Sequence, residues 1–361
     1  MDALHMYEQL GLESLSPLGA SALFGVALGL TFGITAQRTR FCLRRALTEQ
    51  NHDQRTAALT VWLCALGAAI ACTQLSIYFG WIDFAEHRFH ASSIPVVAIA
   101  AGGLLFGAGM VLTRGCASRL TVLAGSGNLR AVIVMLIFAI SAHATLKGIL
   151  TPIRTAVSQI QFELPGVIVT ALYSPANALL FSAAAALPVL LLVVTRSEIR
   201  RQLLGGCLIG CLVAVGWVGT GMVLQDDFDP IAFQSLTFIS ASTEWLFWSI
   251  ASTSIGAGFG VGLFSGVVFG SALSALLRAE FQWITFESPA QTGRYLSGGI
   301  FMGVGGALAG GCTVGAGLSG ASSLSASALL TLGFISLGAF GANAALKSQG
   351  RKGAGLNLVT A

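Results

Sequence analysis

Two glycine-flanked cysteines, Cys116 and Cys312, stand at the same place in a stretch that the chain contains twice. With Cys312 set over Cys116, residues 102–128 (GGLLFGAGMVLTRGCASRLTVLAGSGN) align with 298–324 (GGIFMGVGGALAGGCTVGAGLSGASSL) without a gap. Gly102, Gly103, Gly107, Gly109, Leu112, Gly115, Cys116 and Ser126 each meet an identical residue. In both copies an apolar helix gives way to small residues at the cysteine. A thiol at such a break can face a watery path, and a nearby helix N-terminus favours anions and lowers a thiol pKa. The run Gly311, Cys312, Thr313, Val314, Gly315 would present backbone N–H groups where a short helix starts, holding an oxyanion without a full positive charge. Binding of that strength suits a path, because a solute that binds must also leave.

A third cysteine at a helix end is Cys42, in Gln37–Leu43 (QRTRFCL), with no counterpart in the second copy. Cys64, Cys72, Cys207 and Cys211 fall inside apolar runs, where cysteine usually acts as a small hydrophobe. Cys207 and Cys211 could share a helix face and bind a soft metal, but a tetrahedral site needs more ligands and the sequence supplies no evident partner pair. Seven cysteines, an odd number and mostly in apolar runs, argue against a disulfide framework. Arg114 and Arg119 flank Cys116, whereas Gly310 and Gly315 take the matching places around Cys312. These arginines read either as a cationic vestibule for an anion or as anchors at the membrane surface, and Arg38 and Arg40 near Cys42 read the same two ways.

The elements that must position these residues are membrane helices. The chain is 55% hydrophobic and 9% charged with a mean hydropathy of +0.80, where soluble domains carry about a quarter charged residues. We expect an all-α integral membrane protein with nine spans near 18–36, 56–80, 94–112, 129–150, 172–195, 203–224, 245–276, 294–309 and 325–346. The run 245–276 exceeds one straight crossing and is a candidate for tilt or for a break near Gly256–Gly258. Segments 113–128 and 310–324 are too short to cross and read as re-entrant pieces, which lipid tolerates only where they are buried in protein or line a cavity. The acidic N-terminal stretch lacks the basic region of a cleaved signal and is expected to stay on the chain.

With the N-terminus outside, sixteen of the 19 basic residues fall on inner segments, leaving Arg88, Lys147 and Arg154 outside. The positive-inside rule then places the N-terminus in the periplasm and the C-terminus in the cytoplasm. Asp226, Asp227, Asp229 and Glu244 crowd one outer stretch, although acids weigh little in topology. The two cysteine units begin an odd number of crossings apart, so the expected arrangement is a single transport domain of two inverted repeats, 18–150 and 200–346. A site near the bilayer middle follows, with Cys116 nearer the inner side and Cys312 nearer the outer. Gly29–Gly33 (GLTFG) resembles Gly266–Gly270 (GVVFG), a short match that would extend the duplication to the first span.

None of the nine spans has Asp, Glu or Arg in its interior, so no intramembrane carboxylate offers a proton relay. His143 reads as a packed or interface histidine or, alternatively, as a proton shuttle. No Walker A loop, HExxH or CxxCH sequence is present, and no metal, other cofactor or nucleic-acid partner is expected.

Gln37–Cys42, the Arg114-Gly115-Cys116 unit running to Leu129, and Gly311–Gly320 (GCTVGAGLSG) together resemble the YeeE/YedE family of bacterial inner-membrane sulfur-compound transporters. The resemblance covers about 20–345 and implies uptake of thiosulfate, or of another sulfur or selenium compound, past pore cysteines that fall on Cys42, Cys116 and Cys312. It also implies a small sulfurtransferase-like carrier on the cytoplasmic side. In the family pattern a second glycine precedes the glycine-cysteine pair of the first unit, and Arg114 stands there in this chain. Gly115, Gly311, Thr313, Gly315, Arg114 and Arg119 complete the expected substrate path. The expected protein is a transporter and not an enzyme. The competing reading is a membrane sulfurtransferase that passes a cysteine persulfide to such a carrier.

Overall fold

Glycines decide how closely the helices approach. A computed structural model describes residues 16–163, 165, 175–225 and 230–359. The N-terminal stretch and Asp226, Asp227 and Asp229 of the acidic segment lie outside the described residues. The long helices are α1 (Pro17–Thr39), α3 (His52–Tyr78), α4 (Val96–Leu112), α6 (Leu129–Leu146), α8 (Pro175–Thr195), α9 (Arg200–Val218), α11 (Phe259–Leu277), α12 (Pro289–Ala309) and α13 (Ala326–Val359). Between them lie the shorter α2 (Leu43–Thr48), α5 (Ala117–Gly125), α7 (Thr151–Ser158) and α10 (Ile239–Ala251). Two-residue strands, Ser93–Ile94 and Phe162–Glu163, pair antiparallel in the connections. The protein is therefore an all-α membrane protein, and among the described residues eight helical segments are long and apolar enough to cross a bilayer. The helix α12 is long enough as well, but Gln291, Thr292, Arg294 and its glycines make it less apolar.

In lipid no hydrophobic force drives helices together, so close van der Waals contact must do it, and small residues permit that contact. Gly25, Gly29 and Gly33 of α1 face Gly262, Gly266 and Gly270 of α11, where an added methyl group on any of the six would strike the partner's backbone. A second seam sets α4 antiparallel against α12: a methyl on Gly102 would lie 2.5 Å from the Gly305 carbonyl oxygen, and one on Gly109 the same distance from that of Gly298. The alignment of the two copies exchanges these contacts, since Gly102 matches Gly298 and Gly109 matches Gly305.

The α1–α11 seam obeys a different geometry. Gly25 meets Phe259, Gly29 meets Leu263 and Gly33 meets Val267, so the helices run parallel. An axis that makes α4 and α12 antiparallel cannot relate two parallel helices in the same way. The Gly29–Gly33 and Gly266–Gly270 likeness thus marks the two faces packed together in this seam, in an arrangement unlike that of α4 and α12.

The run 245–276 is broken. The helix α10 ends at Ala251, residues 252–258 turn, and α11 begins at Phe259. From the end of the molecule opposite the arginine-rich connections, residues 230–238 dip inward until the Phe238 ring lies 5.3 Å from that of Phe32, well inside α1. The helix α10 then climbs back, stacking Phe247 on His143 at 5.3 Å. His143 is thus packed against a ring, one of the two roles expected for it. This dip was not foreseen from composition, because its descending arm reads as a polar loop and its ascending arm as part of one long span.

Candidate functional site

Cys42, Cys116 and Cys312 are delivered by one local device used three times. Each helix before the cysteine ends on a residue in the left-handed region: Arg40 (φ 52°), Arg114 (φ 57°) and Gly310 (φ 72°), always two residues upstream. The chain then closes back on the helix, with amides of Phe41, Gly115 and Gly311 donating to Ala36, Met110 and Gly306 carbonyls at 3.2, 3.1 and 3.1 Å. Extended backbone follows at Cys42 and Cys116, which stand at the N-caps of α2 and α5. Cys312 instead leads into a π-helical turn, Gly315–Gly320, its carbonyl accepting from Ala316 at 2.8 Å and Gly317 at 3.2 Å. Left-handed backbone costs a non-glycine residue about 1–2 kcal/mol, which Arg40 and Arg114 bear and Gly310 avoids.

The three elements bring their cysteines together. The thiols of Cys42 and Cys116 face each other within interaction distance, and Cys312 lies near Cys116. All three are buried, at 7%, 1% and 0% exposure. Cys116 Sγ lies 3.2 Å from Ser118 Oγ. The Thr313 hydroxyl also faces Cys116, yet it is buried without a hydrogen bond of normal geometry. At Cys312 the Gly315 amide donates to the sulfur over 3.3 Å, and the amides of Val314 and Phe238 face it. Gly311 has no room for a side chain, since a methyl there would sit 2.5 Å from the Ala316 Cβ. Gly115 has room, with its nearest neighbour atoms at 3.5 Å.

Two cavities approach this cluster from opposite ends. One, of about 580 Å³, is floored by Gly310, Gly311, Gly315 and Thr237 and has Arg88 and Arg154 among its walls. The other, of about 910 Å³ at the arginine-rich end, reaches Cys42 and carries Arg38, Arg40 and Arg45. Cys116 and Cys312 line neither cavity and lie buried between protein segments. Arg119 is partly buried beside Cys42 and Cys116, whereas Arg114 is exposed and is not among the groups facing the thiols.

The turn after Cys312 is strapped by side chains that sequence reading missed. Gln74 Nε2 donates to the Ser322 carbonyl at 2.9 Å, Trp217 Nε1 to that of Ser319 at 3.3 Å, and Ser319 Oγ to that of Leu236 at 2.7 Å. Polar residues buried in apolar spans were the available signal for Gln74 and Trp217, since such groups need partners. Arg88 and Arg154 were legible as outer charges but not as neighbours of one cavity.

The remaining cysteines do have partners. Cys64 and Cys207 thiols lie 3.2 Å apart and Cys72 and Cys211 thiols 3.6 Å apart, each pair bridging α3 and α9. The two-ligand pairs do not make a tetrahedral site, and among the described residues no group of three or more His, Cys, Asp or Glu could hold a metal ion.

Residues 38–341 match the family described as Sulphur transport. Over 319 residues, 80% of this chain and 84% of the relative, the sequence is 24% identical to a protein named thiosulfate transporter TsuA from Escherichia coli (strain K12). A shorter match, 29% identical over 126 residues, aligns it with a protein of the same name from Spirochaeta thermophila. That match spans 34% of this chain and about a third, 36%, of that relative.

Proposed function

The chain belongs to the Sulphur transport family, and from that premise we propose that it takes up thiosulfate through the cysteine cluster, without a covalent step. The observation that carries this reading is the convergence of Cys42, Cys116 and Cys312, from three separate chain breaks, between two cavities that open at opposite ends. The anion enters the outer cavity, passes the amides of Gly311, Thr313 and Gly315 around Cys312, and moves to Cys116 and then Cys42. Thiols suit this task because they donate weakly, so each site releases what it holds. Gly115 and Gly311 keep the loops narrow enough for backbone to approach the solute. Arg114 anchors the inner surface.

The positive-inside pattern supports an inner-membrane protein with a periplasmic N-terminus and a cytoplasmic C-terminus. The reciprocal glycine contacts of α4 and α12 support two inverted units meeting at the cysteines. A small sulfurtransferase-like carrier would receive the solute at the arginine-rich inner mouth.

The test is growth on thiosulfate as sole sulfur source in a bacterial host that lacks its own thiosulfate uptake. Rescue by this chain, lost with Cys116→Ala or Cys312→Ala, is the expected result. Absence of rescue with the protein present in the membrane, and again with a carrier supplied, would sink thiosulfate and leave another sulfur or selenium compound. A persulfide trapped on Cys116 by mass spectrometry would instead favour a sulfurtransferase.

A further inference from the structure

Arg119 is a partly buried cation with no carboxylate partner among the described residues. It lies in the first turn of α5, three residues after Cys116, and its backbone N–H faces the Cys116 sulfur. Its Nη1 atom is enclosed and has no hydrogen-bond partner. The groups that bear on it are the Cys42 and Cys116 thiols and two further cations, Arg40 and Arg45. Two other arginines at this end are paired, Arg130 with Glu287 at 2.6 Å and Arg278 with Glu280 at 3.1 Å. Among the described residues no carboxylate pairs with Arg119. A guanidinium with one enclosed, unpartnered nitrogen and two like charges bearing on it is a costly arrangement unless an anion completes it.

The duplication sharpens the point. The residue matching Arg119 in the second copy is Gly315, whose amide alone serves Cys312. Of the two matching loops, only the one that carries Cys116 therefore has a cation in its own turn. Resting on the transport reading above, we infer that Arg119 is the station that receives the anion from Cys116, and that with Arg40 and Arg45 it selects small oxyanions of double negative charge. The planar fork of the guanidinium can hold two oxygens of such an anion, and Arg40 and Arg45, which bear on Arg119, also line the inner cavity.

The experiment uses the purified full chain, its Arg119→Gln and Arg119→Lys variants, thermal unfolding with added thiosulfate or monovalent thiocyanate, and uptake into proteoliposomes. Thiosulfate raises the unfolding midpoint of the parent chain, thiocyanate raises it less, and Arg119→Gln weakens apparent thiosulfate affinity and uptake about tenfold or more. Arg119→Lys keeps most of both. Without anion the Arg119→Gln midpoint is unchanged or higher, because an uncompensated buried charge has been removed. A merely structural arginine gives a lower anion-free midpoint in both variants, and that result overturns the inference. So does an Arg119→Gln protein that binds and transports like the parent. Should sulfite, sulfate or selenite stabilise the parent where thiosulfate does not, with the effect lost in Arg119→Gln, the station stands and thiosulfate falls. If none of these anions stabilises the parent, the station itself is refuted.

Discussion

The backbone N–H of Gly315 donates to the sulfur of Cys312 over 3.3 Å, so the thiol is oriented from within its own loop. Serine in place of Cys312 keeps an acceptor for that amide, and alanine does not. Uptake of labelled thiosulfate is expected to be partly retained in Cys312→Ser and to fall about tenfold or more in Cys312→Ala. Gly315→Ala belongs with the weak variants, since its methyl would press on the Thr237 hydroxyl at 2.8 Å and displace the loop. Equal loss in serine and alanine variants would speak against a hydrogen-bonding thiol.

The thiols of Cys64 and Cys207, 3.2 Å apart, predict a cross-link between α3 and α9 under mild oxidation. A disulfide needs Cα atoms roughly 4.4–6.8 Å apart. Gly206 and Gly210 draw the helices together, a methyl on either coming within 2.7 Å of α3 backbone. Copper-phenanthroline treatment should lower the intact mass by about two units for this bond, which Cys207→Ser prevents. Failure to cross-link would place the α3–α9 register elsewhere.

The α1–α11 seam predicts an asymmetry among glycines. In Gly266→Ala the new methyl would lie 3.0 Å from both Gly29 Cα and Leu30 N, and helix backbone cannot yield as a side chain can. A cost of about 1–3 kcal/mol is expected, read as a fall in the thermal midpoint of the purified protein. Gly341→Ala, on α13 with nothing within 4 Å, should be neutral or mildly stabilising through helix propensity.

Acid should loosen the connection between α3 and α4. His87 is half-buried among Phe84, Trp217 and Phe233, and that burial, with Arg88 alongside, lowers its pKa from 6.5 to about 4. Its Nδ1 also accepts from the Phe89 amide at 3.2 Å, which protonation would end. Because the folded-state value is the lower one, the unfolded chain takes up the proton first. The stability that neutral His87 contributes is present above about pH 6.5 and is lost as pH falls toward 4. Thermal midpoints at pH 7 and pH 5 should therefore differ less in His87→Phe than in the parent chain.

The sequence by itself determined the solvent and the markers of the path. Apolar runs long enough for a bilayer, arginines gathered on alternate connections, and a cysteine recurring within matching glycines are all local properties, readable because lipid imposes a length and a charge rule on every segment. Even the left-handed position before Cys312 was marked, by Gly310, and the same place before Cys116 held Arg114 in plain view. Tertiary structure alone decided which groups meet. Cys42 has no counterpart in the second repeat, yet it faces Cys116 because α1 ends where α5 begins. Arg114 and Arg119 look equivalent in one dimension, but only the one inside α5 turns toward the thiols. The inward dip at 230–238 and the Cys64–Cys207 pair depend on how far helices approach and how they are rotated. Those are set by contacts between residues more than a hundred positions apart, for which a single sequence carries no local sign.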